Sequence, residues 1–443
     1  MANLKFGPGD YVKLRLALEE IEGRVLESPD NGVILLKLNS GYNIGISKDN
    51  ILGARVIRKF KEEKEKFELP LTKSLPSPKN MKFSGLESST KRKDELPSIG
   101  MVVTGGTIAS KVDAKTGGVK PVVDIGEFAK FYPEMFKIVN VKKIDEPFML
   151  DSSQMNYEHW FKIAESVKKM LDDNEISGVI VTHGTDTLHY TAAALSFFLR
   201  NLNKPVVLTF SQRSGDRASS DANLNLHCAA RVAISDLAEV VLVGHGSTND
   251  DFCYAMRGTK VRKMHSSRRD AFKPININLI AKVWPDRVEF ISQHRARNKE
   301  KVELDLNYTD KVALVKFYPG QDPSILDFYA LKYKGIVIEG VGLGHVGTSG
   351  VHHNWIPKLK KHVRNGFVVC MISQTIFGKV DEYVYHVGRE LRDAGVIFLD
   401  DMLSETAWIK LGWVLGHYGW KKNIKEKMLE NFAGEINGRL GIE

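Results

Sequence analysis

The chain has 443 residues, 43% hydrophobic and 26% charged, with a formal net charge of +9. That length supports more than one buried core. No run of ~18 apolar residues marks a membrane span, the Met1–Lys5 start lacks the apolar segment of a signal peptide, and three scattered cysteines (Cys228, Cys253, Cys370) form neither a zinc pattern nor a disulfide framework. A reducing cytoplasm is the expected setting.

Residues 1–60 read as a small β unit. Short apolar runs cover Tyr11 to Leu16, Gly23 to Leu26, Val33 to Leu38, Tyr42 to Ile46 and Ala54 to Ile57. Turn chemistry separates them at Pro29-Asp30-Asn31-Gly32 and Asn39-Ser40-Gly41. Five closely spaced strands indicate an SH3-like or Tudor-like barrel, a shape used for interactions. Residues 61–96 change to mixed charge with Pro70, Pro76 and Pro78, the composition of a linker.

From residue 97 strands alternate with helices. β-branched runs at Val179 to Val181, Val206 to Thr209 and Val240 to Val243 are interleaved with amphipathic stretches at Trp160 to Leu171 and Thr191 to Leu199. This alternation predicts a doubly wound α/β domain over 97–295. The polar stretch Ser292 to Asp310 reads as a connection. A second α/β domain follows over 310–443, with strands near Val312, Gly335, Gly366 and Val396 and helices near Thr406 to Leu415 and Lys422 to Phe432.

Two segments carry the chemistry. Met101-Val102-Val103 leads into Thr104-Gly105-Gly106-Thr107-Ile108-Ala109-Ser110. Val179-Ile180-Val181 leads into Thr182-His183-Gly184-Thr185-Asp186-Thr187. Sites in open α/β sheets form at the carboxyl ends of such strands. Two hydroxyl-rich turns, a carboxylate and free backbone N–H groups are the parts of acyl transfer. Each segment has a purely structural reading beside this one. Thr-Gly-Gly-Thr also makes a tight turn, Asp186 also caps a helix, and Asp151-Ser152-Ser153 also caps a helix beginning near Asn156.

The two motifs resemble the asparaginase/glutaminase family that uses a threonine nucleophile, and the resemblance runs from about Pro97 to the C-terminus. It implies a larger Rossmann-like α/β domain followed by a smaller α/β domain. It implies Thr107 as nucleophile, with Gly106 and its neighbour admitting backbone N–H groups to the scissile amide. It implies Thr185 working with a lysine, Asp186 holding the substrate α-amine, and a serine of the Asp151–Met155 turn, Ser152 or Ser153, gripping the α-carboxylate. Counting back from Phe272 selects Lys263 as that lysine, with Lys260 the competitor. A free lysine titrates near ~10.4, so neutrality at pH 7 needs a shift of ~3 units, roughly 4–5 kcal/mol. Asp186 opposes that shift, which favours a shared proton along Thr185–Lys263–Asp186.

One departure concerns the loop 111–120, which holds no tyrosine where most stand-alone members place one; Tyr132 is nearby without motif support. The β unit and linker resemble a branch of the family that supplies ammonia inside tRNA-dependent amidotransferases. That resemblance implies glutamine as substrate and a kinase-like partner subunit (of the E type) that uses ATP and Mg²⁺ on Glu-tRNA(Gln). It also implies a homodimer within a heterotetramer, and no cofactor or metal in this chain. A stand-alone asparaginase is the alternative.

Other motifs fail. Gly342-Leu343-Gly344-His345-Val346-Gly347 fits G-x-G-x-x-G, but the next strand ends in Ser373-Gln374 instead of an acidic residue. One dense basic cluster stands out: Arg257, Lys260, Arg262, Lys263, Arg268 and Arg269. It reads either as solvated surface or as a polyanion site.

Overall fold

In the computed structural model the described residues are 6–26, 28, 32–38, 43–60, 96–112, 119–121, 128–129, 132–214 and 219–438. Pro29, Asp30 and Asn31 of the first turn, the turn Asn39–Gly41, most of the linker and the centre of the loop 111–120 lie outside them. The described residues form two compact units.

The first unit holds β1 (Tyr11–Arg15), β2 (Glu20–Leu26), β3 (Val33–Leu38), β4 (Asn43–Ser47) and β5 (Gly53–Arg58). They form an antiparallel sheet in the order β4-β3-β2-β1-β5. Period-two alternation turns Val12 and Leu14 inward onto Val25, Leu36, Ile46 and Ile51. No β4–β5 ladder occurs among the described residues, so the expected barrel is observed as a five-stranded sheet. Asp10 joins its two ends, accepting from Gly7 N at 3.0 Å, Phe60 N at 2.8 Å and Lys59 Nζ at 2.9 Å.

The second unit begins with β6 (Ser98–Val103), followed by β7 (Asn140–Asp145), β8 (Ile176–Thr182), β9 (Val206–Thr209) and β10 (Val240–His245). These five are parallel, in the order β7-β6-β8-β9-β10. The antiparallel strands β11 (Cys253–Arg257), β12 (Ala281–Val283) and β13 (Val288–Phe290) extend the sheet. The central strands are buried and largely apolar because helices cover both faces. Helix α1 (Tyr157–Leu171) starts at a capping box. Asn156 Oδ1 accepts from Glu158 N and His159 N, and Asn156 N donates to His159 Nδ1. Trp160, Ile163, Ala164, Val167, Met170 and Leu171 form its buried stripe.

Helix α2 (Leu188–Phe198) follows β8, and α3 (Ala222–Ala233) covers the other side. The second sheet is all parallel: β14 (Val312–Lys316), β15 (Gly335–Gly340), β16 (Val368–Ser373) and β17 (Ile397–Phe398). Helices α4 (Ile325–Lys332), α5 (Ile356–Arg364) and α6 (His386–Asp393) precede α7 (Ser404–Gly416). Phe197 of α2 stacks on Trp413 of α7 at 5.4 Å between ring centroids, so one apolar cluster is shared by both sheets. The helix that follows the Thr185 turn is thereby wedged between two cores.

One expectation needs correction. The last helix is α8 (Ile424–Leu429), shorter than Lys422 to Phe432. Past Leu429 the chain turns so that Phe432 N and Ala433 N donate to Glu435, which is itself paired with the buried Lys410. The connection 292–310 carries one short strand, Glu303–Leu304, which pairs with Leu199–Arg200.

Candidate active site

Adjacent parallel strands bring the two motif turns together. In register, Val103 lies beside Thr182. Thr104 N and Thr104 Oγ1 both donate to Thr182 O, at 3.3 and 2.9 Å. The chain then turns through Gly105 (φ +113°) and Gly106 (φ +78°), a conformation open to glycine and strained for other residues. A Cβ on Gly106 would stand 2.5 Å from Gly184 N. Two backbones therefore touch where the turns face each other. Thr107 opens a single 3₁₀ turn, Thr107–Ala109, immediately after this contact. Tyr132, buried, donates its hydroxyl to Ile108 O at 2.8 Å and pins that turn.

A third segment completes the crevice. Leu150 N donates to Thr104 O at 3.1 Å, which sets Asp151, Ser152 and Ser153 beside the second turn. Ser152 is buried; its Oγ accepts from Asp186 N at 3.3 Å and its carbonyl from Thr187 Oγ1 at 2.7 Å. Ser153 is turned away, donating through N and Oγ to Asp151. Those two donors hold the Asp151 carboxyl below its ordinary value. The capping roles are split: Asp151 caps only the short Ser152–Gln154 turn, and Asn156 caps α1.

Lys263 arrives on an antiparallel ribbon, Val261–Lys263 against Phe272–Pro274, in which Lys263 is the register partner of Phe272. Phe272 is buried against Phe210, with centroids 4.6 Å apart, so the lysine rests on an anchored ribbon. Its ammonium donates to Thr185 Oγ1 at 2.8 Å and to Asp186 Oδ1 at 2.7 Å. Asp186 Oδ2 has no donor among the described residues, and the side chain is 63% exposed. Asp186 does not cap α2, whose N-cap Thr187 makes no side-chain cap bond. Lys260 points elsewhere, fully buried and 2.7 Å from Asp401.

Every member of the basic cluster has a carboxylate. Arg257 meets Glu239 at 2.8 Å, Arg262 meets Glu405 at 3.2 Å, Arg268 meets Asp270 and Arg269 meets Asp250, both at 2.9 Å. With the two lysines above, the six charges are locally balanced, which favours the surface reading over a polyanion site.

Residue-type patterns missed a supporting chain behind the second turn. Trp160 Nε1 donates to Thr191 Oγ1 at 3.1 Å, and Thr191 Oγ1 lies 2.8 Å from His183 Nε2. His183 Nδ1 lies 2.6 Å from Gly184 O. Complete burial lowers the His183 pKa to about 4, so the ring is neutral. A neutral ring donating from Nδ1 must accept at Nε2, which orders the whole chain from Trp160 to Gly184. The loop Gly342–Gly347 is a tight turn closed by Val341 and His345, with positive φ at Gly342 and Gly344. Among the described residues no group of three or more His, Cys, Asp or Glu is placed to hold a metal. No helix there is long and apolar enough to cross a membrane.

Comparison with known proteins agrees with this architecture. Residues 98–296 match the family model described as asparaginase, N-terminal, and residues 311–428 the glutaminase/asparaginase C-terminal domain; residues 6–57 match the GatD N-terminal domain. The L-asparaginase of Thermococcus kodakarensis superposes with a TM-score of 0.70 at 32% identity, covering 77% of this chain and all of its own. L-asparaginase I of Vibrio cholerae gives 0.65 at 27% identity, covering 77% of this chain and 99% of its own. The D-type subunit of glutamyl-tRNA(Gln) amidotransferase from Thermococcus kodakarensis is 47% identical over 97% of this chain and 94% of its own length. Its counterpart from Methanopyrus kandleri is 41% identical over 94% and 89%. An asparaginase-type body preceded by the small strand-rich unit of these relatives places the chain in their group: it belongs to the GatD family, the D-type subunits of glutamyl-tRNA(Gln) amidotransferases.

Proposed function

We propose that this chain is the glutaminase subunit of a tRNA-dependent amidotransferase, with Thr107 as nucleophile. Thr107 Oγ1 forms a bond to the side-chain carbonyl carbon of glutamine, and the carbonyl π pair moves onto oxygen. Backbone N–H groups of the glycine turn are the natural donors to that oxyanion. Collapse breaks the C–N bond, and the nitrogen leaves as ammonia carrying the proton that the Thr107 hydroxyl gave up on attack; the water of the next step returns a proton to Thr107 Oγ1. Water then cleaves the Thr107 ester, releasing glutamate.

One observation carries the reading: Lys263 bonds Thr185 and Asp186 beside the Gly106–Gly184 contact that delivers Thr107. A charged Lys263 is donor only, so Thr185 accepts from it and keeps its own hydrogen for the substrate. The open oxygen of Asp186 suits an α-ammonium, and the Ser152 turn suits an α-carboxylate. The ammonia passes to a kinase-like partner subunit of the E type, which uses ATP and Mg²⁺ to activate Glu-tRNA(Gln) and yields Gln-tRNA(Gln). In this reading the chain is cytoplasmic and works as a homodimer within a heterotetramer. It divides into a β unit (1–60), a linker (61–96) and two α/β domains (97–295, 310–443). With no tyrosine in the loop 111–120, and Tyr132 committed to Ile108 O, the enzyme idles until its partner docks.

The test is ammonia release from glutamine and from asparagine by the chain alone and with partner, Glu-tRNA(Gln) and ATP. Glutamine turnover that rises in the full mixture, and is lost in Thr107→Ala, is expected. Fast asparagine hydrolysis by the chain alone, unchanged by the mixture, would mean a stand-alone asparaginase instead.

A further inference from the structure

A cavity of about 140 Å³ opens at the amino ends of the parallel strands, the edge opposite the Thr104 and Thr182 turns. Its walls include Arg200, Asn201, Glu239, Arg295 and Phe432. Arg200 is the unusual group. Its guanidinium lies over the rings of Phe432 (4.9 Å) and Trp413 (5.6 Å), and no acceptor is within hydrogen-bond distance of it among the described residues. Arg200 is half-buried, and its N–H groups still reach solvent, so they are open to an acceptor that enters from water.

The surroundings add a charge imbalance. Glu239, the one carboxylate on the wall, is already engaged: both oxygens accept from Arg257, and Oε1 also accepts from Arg295 N. Arg295, exposed, donates one guanidinium nitrogen to Phe432 O and lines the same space. Burial first, opposed by Asp305, and then the neighbouring Arg295 charge push the Arg200 guanidinium below its ordinary value. Asp305 is itself held 2.9 Å from His417. Two cations thus share a cavity whose one lining acid is already engaged, while Asp305, Glu435 and Glu430 attract Arg200 from outside that lining. Asn201, next to Arg200 on the wall, holds φ +54°, the left-handed region that asparagine tolerates better than most non-glycine residues.

We propose that this cavity is a binding site for a small oxyanion, a phosphate or a carboxylate, clamped between Arg200 and Arg295. Planar guanidinium groups bind both classes through paired charge-assisted hydrogen bonds. The anion would supply the missing acceptor for Arg200 and relieve the Arg200–Arg295 repulsion at once. The site is distinct from the threonine crevice and does not depend on the proposed glutaminase chemistry.

The test is calorimetric titration of the full chain with inorganic phosphate, sulfate and acetate, at fixed ionic strength with chloride as balance. Wild type, Arg200→Gln and Arg295→Gln are compared, and thermal melting checks that each variant is folded. Arg295 is exposed, so its variant keeps the test valid if Arg200→Gln fails to fold. Saturable one-site binding by wild type, weakened about tenfold or more in either folded variant, is expected. Phosphate and sulfate binding above acetate identifies a tetrahedral ligand, and the reverse order a carboxylate; either supports the site. No binding above chloride, or equal binding by wild type and Arg295→Gln as for an adventitious ion only, overturns it.

Discussion

Lys260 and Lys263 stand three residues apart in opposite surroundings. Lys260 is buried with its charge against Asp401, and removing one member of such a pair strands the other. Lys260→Met is therefore expected to cost about 3–5 kcal/mol of stability. Lys263→Met removes a partly exposed contact to Asp186, so stability changes little while ammonia release falls about 10²–10⁴-fold. Denaturant titration and turnover, measured on both variants, separate the roles; equal loss of activity at native stability would sink the distinction. His183 adds a pH dependence. Burial keeps its folded pKa at about 4, against 6.5 unfolded. Below pH 6.5 the unfolded chain takes up a proton that the folded chain refuses until about pH 4. Stability is full above 6.5 and falls by ~3 kcal/mol as pH drops through that window. His183→Gln, which offers one donor and one acceptor without titrating, should show a shallower fall in urea unfolding between pH 7 and 4.5. Identical slopes would remove His183 as the cause.

At the scale of elements, the join between α2 and α7 carries a polar counterpart to its apolar contact. Glu405 at the start of α7 is buried, with Oε1 3.2 Å from Arg262 Nε and 3.7 Å from His189 Nε2. Arg262 directly precedes Lys263, and His189 lies in the first turn of α2. Glu405→Gln is expected to lower stability by ~1–3 kcal/mol and to slow ammonia release less than Lys263→Met does. Thermal melting with steady-state kinetics checks it, and a variant matching wild type in both would show that the link is idle. The glycine turns were legible in sequence because a positive φ at Gly105 and Gly106 demands glycine. The Lys263–Phe272 spacing was legible through family resemblance, and its physical basis is their register across the ribbon. The Trp160–Thr191–His183 chain was not legible, since its three groups come from α1, α2 and a strand end whose meeting depends on tertiary packing.

For the molecule as a whole, the α/β architecture followed from alternating patterns, because strands buried on both faces must be largely apolar. Charge was harder to read. A run of six basic residues looks like a polyanion site until their acids are located, and those lie 18 residues away for Arg257 and 141 for Lys260. With these charges paired, the isolated chain is expected to bind unstructured RNA weakly, with a salt slope of magnitude below about 2 in filter binding. A slope near 5 would mean that the cluster opens toward nucleic acid.

The distances along the chain between the site's parts also govern when the site can exist. Thr104 bonds a carbonyl 78 residues later, and Thr185 bonds a lysine another 78 residues on. At ~5–20 residues per second, a ribosome needs roughly 8–30 s to pass from Thr107, the proposed nucleophile, to Lys263. During that interval the growing polypeptide carries a threonine with no ammonium behind the opposing hydroxyl, so a half-made subunit releases no ammonia.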